Sequence, residues 1–75
     1  MKLSDLSQGK KARITGIGAD DPELQRRLLE LGFQEGVSVE VLHRGRRTPM
    51  AVQIADFTIA LRLREASALE VELCE

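Results

Sequence analysis

Short runs of alternating apolar and polar residues dominate the chain and predict β-strands. Five such runs are recognisable, at residues 10–17, 37–42, 52–54, 59–64 and 71–73. Strands of this length, joined by short connections, are typical of a small barrel or sandwich. Closing the sheet into a barrel also removes exposed strand edges, which so small a protein has little material to cover. We therefore expect a mainly β fold.

One amphipathic α-helix is predicted at about residues 22–31. Asp20 or Asp21 is a good N-cap, and Pro22 suits the first helical position. The apolar side chains recur at helical spacing, as Leu24, Leu28 and Leu31. A helix of about ten residues is too short to stand alone in water, so it must pack against the sheet.

The residues that follow this helix also predict where it ends. Gly32 stands where a left-handed residue belongs, and Phe33 then packs back onto Leu28 in a Schellman ending. Two single helical turns are expected as well, one at residues 3–6 with Ser4 as its cap and one at residues 65–69.

Composition limits the kind of function. The chain has 75 residues, which we read as a single domain over residues 1–75. One His and one Cys offer few side chains for nucleophilic catalysis or metal binding, so we expect that the protein is not an enzyme. There is no apolar run long enough to span a membrane and no signal-peptide pattern, which favours a cytoplasmic protein. The net charge of −1 disfavours a general nucleic-acid binder.

A basic loop interrupts this balanced charge. Residues 43–49 read His-Arg-Gly-Arg-Arg-Thr-Pro. We interpret Arg44, Gly45, Arg46, Arg47 and Pro49 as candidates for binding an acidic face of a partner, or anionic lipid headgroups. The alternative is a loop that is polar only because it faces water. No aromatic residue lies among the arginines, so they offer no platform for stacking bases.

Two further arginines are candidates on the helix. Arg26 and Arg27 fall on its exposed side, where they either contact a partner or simply solvate that face. The pair Gly16 and Gly18 lacks the context of a phosphate-binding loop, so we expect no nucleotide site.

Metal binding has weak support. His43 is the single imidazole and Cys74 the single thiol, and neither belongs to a metal-binding spacing. We expect no resident cofactor. Weak binding of a divalent transition metal, or a site shared between subunits, stays open.

Taken in order, several short motifs resemble the FeoA family. They are Leu3-Ser4-Asp5-Leu6, Arg27-Leu28-Leu29-Glu30-Leu31-Gly32-Phe33, Val39-Glu40-Val41-Leu42, Ile59-Ala60-Leu61-Arg62 and Leu69-Glu70-Val71. Each motif is weak alone, but the ordered set covers essentially the whole chain. In the basic loop the chain departs from the family, because three arginines stand where many members carry a Gly-Asp-Pro-type turn.

The resemblance implies an SH3-like β-barrel of about five short strands with one inserted α-helix. The same fold is found in the C-terminal domain of diphtheria-toxin-repressor-type iron-dependent repressors. It also implies a non-catalytic regulator of bacterial ferrous iron uptake that docks onto the cytoplasmic face of the membrane transporter FeoB and modulates its transport or GTPase cycle. Such a protein lies close to the membrane without spanning it.

Two other functions stay open at this point. One is a small β-barrel that binds nucleic acid or serves as a repressor-like accessory domain, although we expect no nucleic-acid partner. The other is an adaptor that binds a transition metal.

Overall fold

Five antiparallel strands and two helices make up the described part of the protein. The computed structural model describes residues 1–18 and 20–74. The strands and helices follow a 3₁₀ turn at Leu3–Asp5, in the order β1 (Lys11–Ile17), α1 (Pro22–Glu30), β2 (Ser38–His43), β3 (Met50–Ile54), β4 (Phe57–Leu61), α2 (Leu63–Ala66) and β5 (Leu69–Cys74). The count of five strands, one longer helix and two short turns confirms the sequence prediction.

The strands form one sheet in the order β4-β3-β2-β1-β5. Among the described residues, β4 and β5 lie at the two ends of this order and are joined through α2. The 3₁₀ turn packs against α2 and β5, and Lys2 forms a bridge to Glu70 on β5. The helical turns and the first residues of the chain therefore lie at the end of the sheet where β4 and β5 do not pair with each other in the described residues.

A single apolar core lies inside the curved sheet. Its largest fully buried side chains are Phe33, Leu3, Ile14, Leu28, Leu61, Leu69, Val41 and Val52. Leu24 and Leu31 are partly buried against this core, so the predicted helical stripe does face the sheet. Leu29, the residue after Leu28, is exposed.

Helix α1 begins and ends as its sequence predicts. The Asp21 carboxylate accepts a hydrogen bond from the Glu23 amide at 2.9 Å, and Pro22 occupies the first turn. At the other end Gly32 has φ of 104°, and the Phe33 amide donates to the Leu28 carbonyl at 3.1 Å. That bond completes the Schellman ending and buries Phe33 in the core.

The predicted cap of the first helical turn is wrong. Ser4 lies inside the first turn rather than capping it, and the Asp5 carboxylate instead accepts from the Lys2 amide at 3.0 Å. In the hairpin between β3 and β4 the left-handed residue is Ala55, with φ of 51°. In a two-residue hairpin loop, the first position as well as the second can require a positive φ.

The prediction that the strand starting at residue 59 continues to residue 64 is also wrong. Strand β4 ends at Leu61, and Leu63 begins α2 instead of pointing into the core. The Glu65 carboxylate accepts from the Arg62 amide at 2.9 Å, which starts the helix. The helical turn expected at residues 65–69 thus lies earlier, and Leu69 already belongs to β5.

Candidate partner-binding surface

The basic loop, defined here as residues 43–49, connects β2 to β3 and begins at a β-bulge. In the register of the two strands Val41 faces Val52 while His43 faces Ala51, so Leu42 is the extra residue. Without the bulge, His43 would share the inward side of Val41. With it, the His43 side chain is exposed.

Arg44 anchors this loop to the start of the chain. Its guanidinium donates to the Leu6 carbonyl at 3.3 Å, and its amide donates to the Gln8 side chain at 3.4 Å. The first predicted site residue therefore has a structural role as well as a charge.

The interior of the loop is tight at Gly45. A Cβ placed on Gly45 would overlap the Thr48 hydroxyl and would lie 3.5 Å from Nε2 of His43. Only glycine leaves the Thr48 side chain where it is, so this residue helps to set the shape of the loop.

Arg46 and Arg47 are exposed. No ion pair joins either of them to another of the described residues. Pro49 is exposed too and leads into β3. Charge without an internal partner is what a docking surface for an acidic face would present.

Leu63 at the start of α2, and Arg62 just before it, lie beside the basic loop, and the sequence did not single out either residue. A groove of about 380 Å³ separates the loop from α2, and its lining includes Arg44, Arg46, Met50 and Leu63. A second groove of about 400 Å³ is lined by Arg46, Arg47, Thr48, Pro49, Arg62 and Leu63. Leu63 and Arg46 line both grooves, so the two form one continuous basic surface.

Arg27 lies in a different place. Its guanidinium is 3.6 Å from the buried Glu65 carboxylate, in a groove between α1 and α2. Across the same groove Arg64 pairs with Asp21 at 3.0 Å. Arg26 is exposed on α1 and lines neither groove beside the basic loop. The predicted site residues therefore divide into a loop group and a helix group.

The weak metal candidates are far apart. Lys11 on β1 faces both Glu40 on β2 and Cys74 on β5, so Cys74 lies two strands away from β2. His43 is three residues further along β2 than Glu40, which puts the two candidates roughly 14 Å apart from strand spacing and rise. They do not share one ion within a single chain. Across residues 1–18 and 20–74, no group of three or more His, Cys, Asp or Glu side chains could hold a metal.

Neither helix in the described part of the chain is long and apolar enough to cross a membrane.

Comparison with known proteins identifies the family. A model of the FeoA domain matches residues 1–73. The chain belongs to the FeoA family. This confirms the resemblance seen in the ordered motifs.

Individual relatives agree with the FeoA assignment. The chain is 35% identical over 77 residues to a Porphyromonas gingivalis protein named as a fusion of Fe(2+) transport protein A with the Fe(2+) transporter FeoB. That alignment covers 97% of this chain and 9% of the relative, so the chain spans about a tenth of that protein's length.

Solved FeoA structures share the fold. The FeoA of Stenotrophomonas maltophilia, solved with zinc and described as an SH3 domain protein, superposes with a TM-score of 0.86 at 32% identity over 96% of this chain and 89% of that one. A manganese-dependent transcriptional repressor superposes with a TM-score of 0.91 at 22% identity, over 99% of this chain and 36% of the repressor. The SH3-like fold and its likeness to metal-dependent repressors are thereby confirmed.

Sequence reasoning missed Arg62 and Leu63 as members of this surface. They follow the loop by more than a dozen positions, and only the fold brings them beside it. The one sequence signal was Glu65, three residues after Arg62, which is the second half of a capping box.

Proposed function

We propose that this FeoA-family protein is a non-catalytic accessory protein of bacterial ferrous iron uptake. It docks onto the cytoplasmic face of a FeoB-like transporter and modulates that transporter's transport or GTPase cycle. In physical terms, it binds one conformation of the transporter more tightly than another and so shifts the balance between them.

One observation carries the proposal: the relative in which transport protein A and FeoB are parts of one chain. Fusion raises the effective concentration of two domains that act together, and it commonly joins partners that are separate proteins elsewhere. The basic loop supports the same proposal, because it presents Arg46 and Arg47 without ion-pair partners among the described residues.

Binding to full-length FeoB in detergent or nanodiscs, and to its soluble domain, tests the proposal. The informative variant is Arg46→Glu with Arg47→Glu, which reverses charge on the exposed part of the loop. Arg44 is left unchanged because its guanidinium holds the loop to Leu6. We expect a loss of affinity of about ten-fold or more at low salt and a smaller loss at high salt, since screening weakens exposed charges.

The matched control is Lys10→Glu with Lys11→Glu. It makes the same change in net charge at two exposed residues, and the pair that it removes, Lys11 with Glu40 at 3.9 Å, is exposed and weak. Failure of the unmodified protein to bind either form of FeoB would refute the proposal. Equal losses from the two double variants would show that net charge alone, rather than the basic loop, governs binding.

A further inference from the structure

Leu63 is an exposed apolar residue in the middle of a basic surface. It begins α2, and 68% of its surface is accessible. It borders both grooves beside the basic loop, and the buried side chains of Met50 and Ala66 lie at the bottom of the groove of about 380 Å³. Apolar side chains beside arginines are a combination that protein interfaces use, since their buried centre is apolar and Arg is enriched there.

The charge around Leu63 is of one sign. Four arginines line the two grooves, Arg44, Arg46, Arg47 and Arg62, and none of the described lining residues is an Asp or Glu. The groove between α1 and α2 offers a contrast within the same molecule. There Arg27 pairs with Glu65 and Arg64 pairs with Asp21. Arg62 lines this groove as well, whereas Arg46 and Arg47 do not, so the charge of these two is left for an outside group.

We propose that the surface formed by Leu63, Arg46, Arg47 and Arg62 binds an extended acidic segment of a partner protein that carries one apolar side chain. The apolar side chain covers Leu63, and flanking carboxylates reach the arginines on either side. The inference rests on the proposed function, for which it supplies the chemistry of the transporter segment that is recognised.

The shape of the surface favours a polypeptide over a lipid bilayer. Leu63 stands between two concavities with basic walls, and a narrow chain fills such concavities while a flat membrane surface spans them. A segment of a second copy of this protein is disfavoured by its own ion pairs. On the acidic strand β5, Glu72 already pairs with Arg13 at 3.5 Å.

The test uses the intact protein and a blocked peptide of alternating Asp and Glu residues around one central Leu. Two control peptides replace the acids by Lys or the Leu by Ser. We expect only the acidic, Leu-containing peptide to bind well, with competition by salt. In Leu63→Ser we expect affinity to fall about ten-fold, which corresponds to about 1.4 kcal/mol.

Phe57→Ser is the matched control. Phe57 has the same exposed fraction of 68% but lies at the start of β4 and lines neither groove. We expect this variant to bind the peptide like the unmodified protein. Circular dichroism on both variants confirms that they remain folded.

Equal affinity of the Leu63→Ser and Phe57→Ser variants for the peptide would overturn the inference. Binding to vesicles of phosphatidylserine and phosphatidylcholine without binding to the peptide would overturn it too. So would self-association, measured by light scattering, that competes with the peptide for this surface. The outcomes stay separate from those of the proposed function. FeoB binding that survives Leu63→Ser refutes only the inference, whereas an unmodified protein that binds the peptide but no form of FeoB refutes only the function.

Discussion

At the scale of single residues, the basic-loop residues that are candidates for partner binding also hold the loop in its shape. Arg44 carries a charge that partner binding would use, yet its guanidinium also ties the loop to the Leu6 carbonyl. Gly45 contributes no side chain at all, but its lack of a Cβ leaves room for the Thr48 hydroxyl. Substitutions in this loop therefore change shape as well as charge, and the two effects need to be separated.

Gly45→Ala separates them without altering charge. The new methyl group would overlap the Thr48 hydroxyl, so either the Thr48 side chain rotates or the loop shifts. We expect the free energy of unfolding to fall by about 1 kcal/mol, the low end of the cost of overpacking, and partner affinity to fall with it. Urea denaturation and binding to FeoB measure the two effects.

Thr48→Ala provides the rescue. It removes the hydroxyl and leaves only its Cβ, 3.6 Å from the position of the new methyl group, which is an ordinary contact. The double variant should regain most of what Gly45→Ala loses, giving a clear coupling in a double-mutant cycle. Additive effects of the two substitutions would mean that the overlap is not the cause.

At the scale of elements, the bounds of helix α1 were predictable, whereas α2 was expected too late in the chain. The signals for α1 are all local: a capping Asp21, Pro22 in the first turn and Gly32 after the end. At α2 the local pattern is misleading, because Leu61 and Leu63 continue the alternation of β4 although the strand has ended. The residue before the helix is Arg62, which cannot cap with its own side chain, so only Glu65 marks the start.

The same limit applies to the binding surface. Arg44, Arg46 and Arg47 were recognisable because they are close in sequence, whereas Arg62 and Leu63 join them only through the fold. Arg26 and Arg27 were named as candidates because they fall on the exposed side of α1. The buried carboxylate of Glu65, which pairs with Arg27, is set in place by the capping of α2 and has no signature in the spacing of α1.

The cap of α1 allows a direct test of how the two helices are joined. The Asp21 carboxylate accepts from the Glu23 amide with one oxygen and pairs with Arg64 of α2 through the other. Asp21→Ala removes both contacts and should lower the free energy of unfolding by about 1–2 kcal/mol. Asp21→Asn keeps a capping oxygen and loses only an exposed ion pair, so its cost should stay below about 1 kcal/mol.

Asp20→Ala is the control for this pair, since Asp20 is an exposed neighbour outside the cap. Its midpoint in urea should match that of the unmodified protein. If Asp21→Ala and Asp20→Ala unfold at the same midpoint, the cap contributes nothing measurable to stability.

At the scale of the whole molecule, a net charge of −1 conceals a separation of charge. The two grooves beside the basic loop have arginine walls, whereas elsewhere Asp21, Glu65 and Glu72 pair with arginines of the same chain. An approaching acidic segment therefore meets a locally positive field on a nearly neutral protein. Such a field accelerates and orients encounter, whereas apolar contact at Leu63 would act only once the partner is seated.

This division predicts different kinetic signatures for the two parts of the surface. Reversing Arg46 and Arg47 to Glu should lower the association rate constant for FeoB by about ten-fold at low salt, and the difference should shrink as salt is raised. Leu63→Ser should leave the association rate nearly unchanged at every salt concentration and raise the dissociation rate by about ten-fold, because lost contact area mainly shortens the life of a complex. Stopped-flow fluorescence with labelled FeoB at several salt concentrations distinguishes the two. A Leu63→Ser variant that slows association while leaving dissociation alone would show that Leu63 acts before docking, and the assignment of separate roles to the arginines and the leucine would fail.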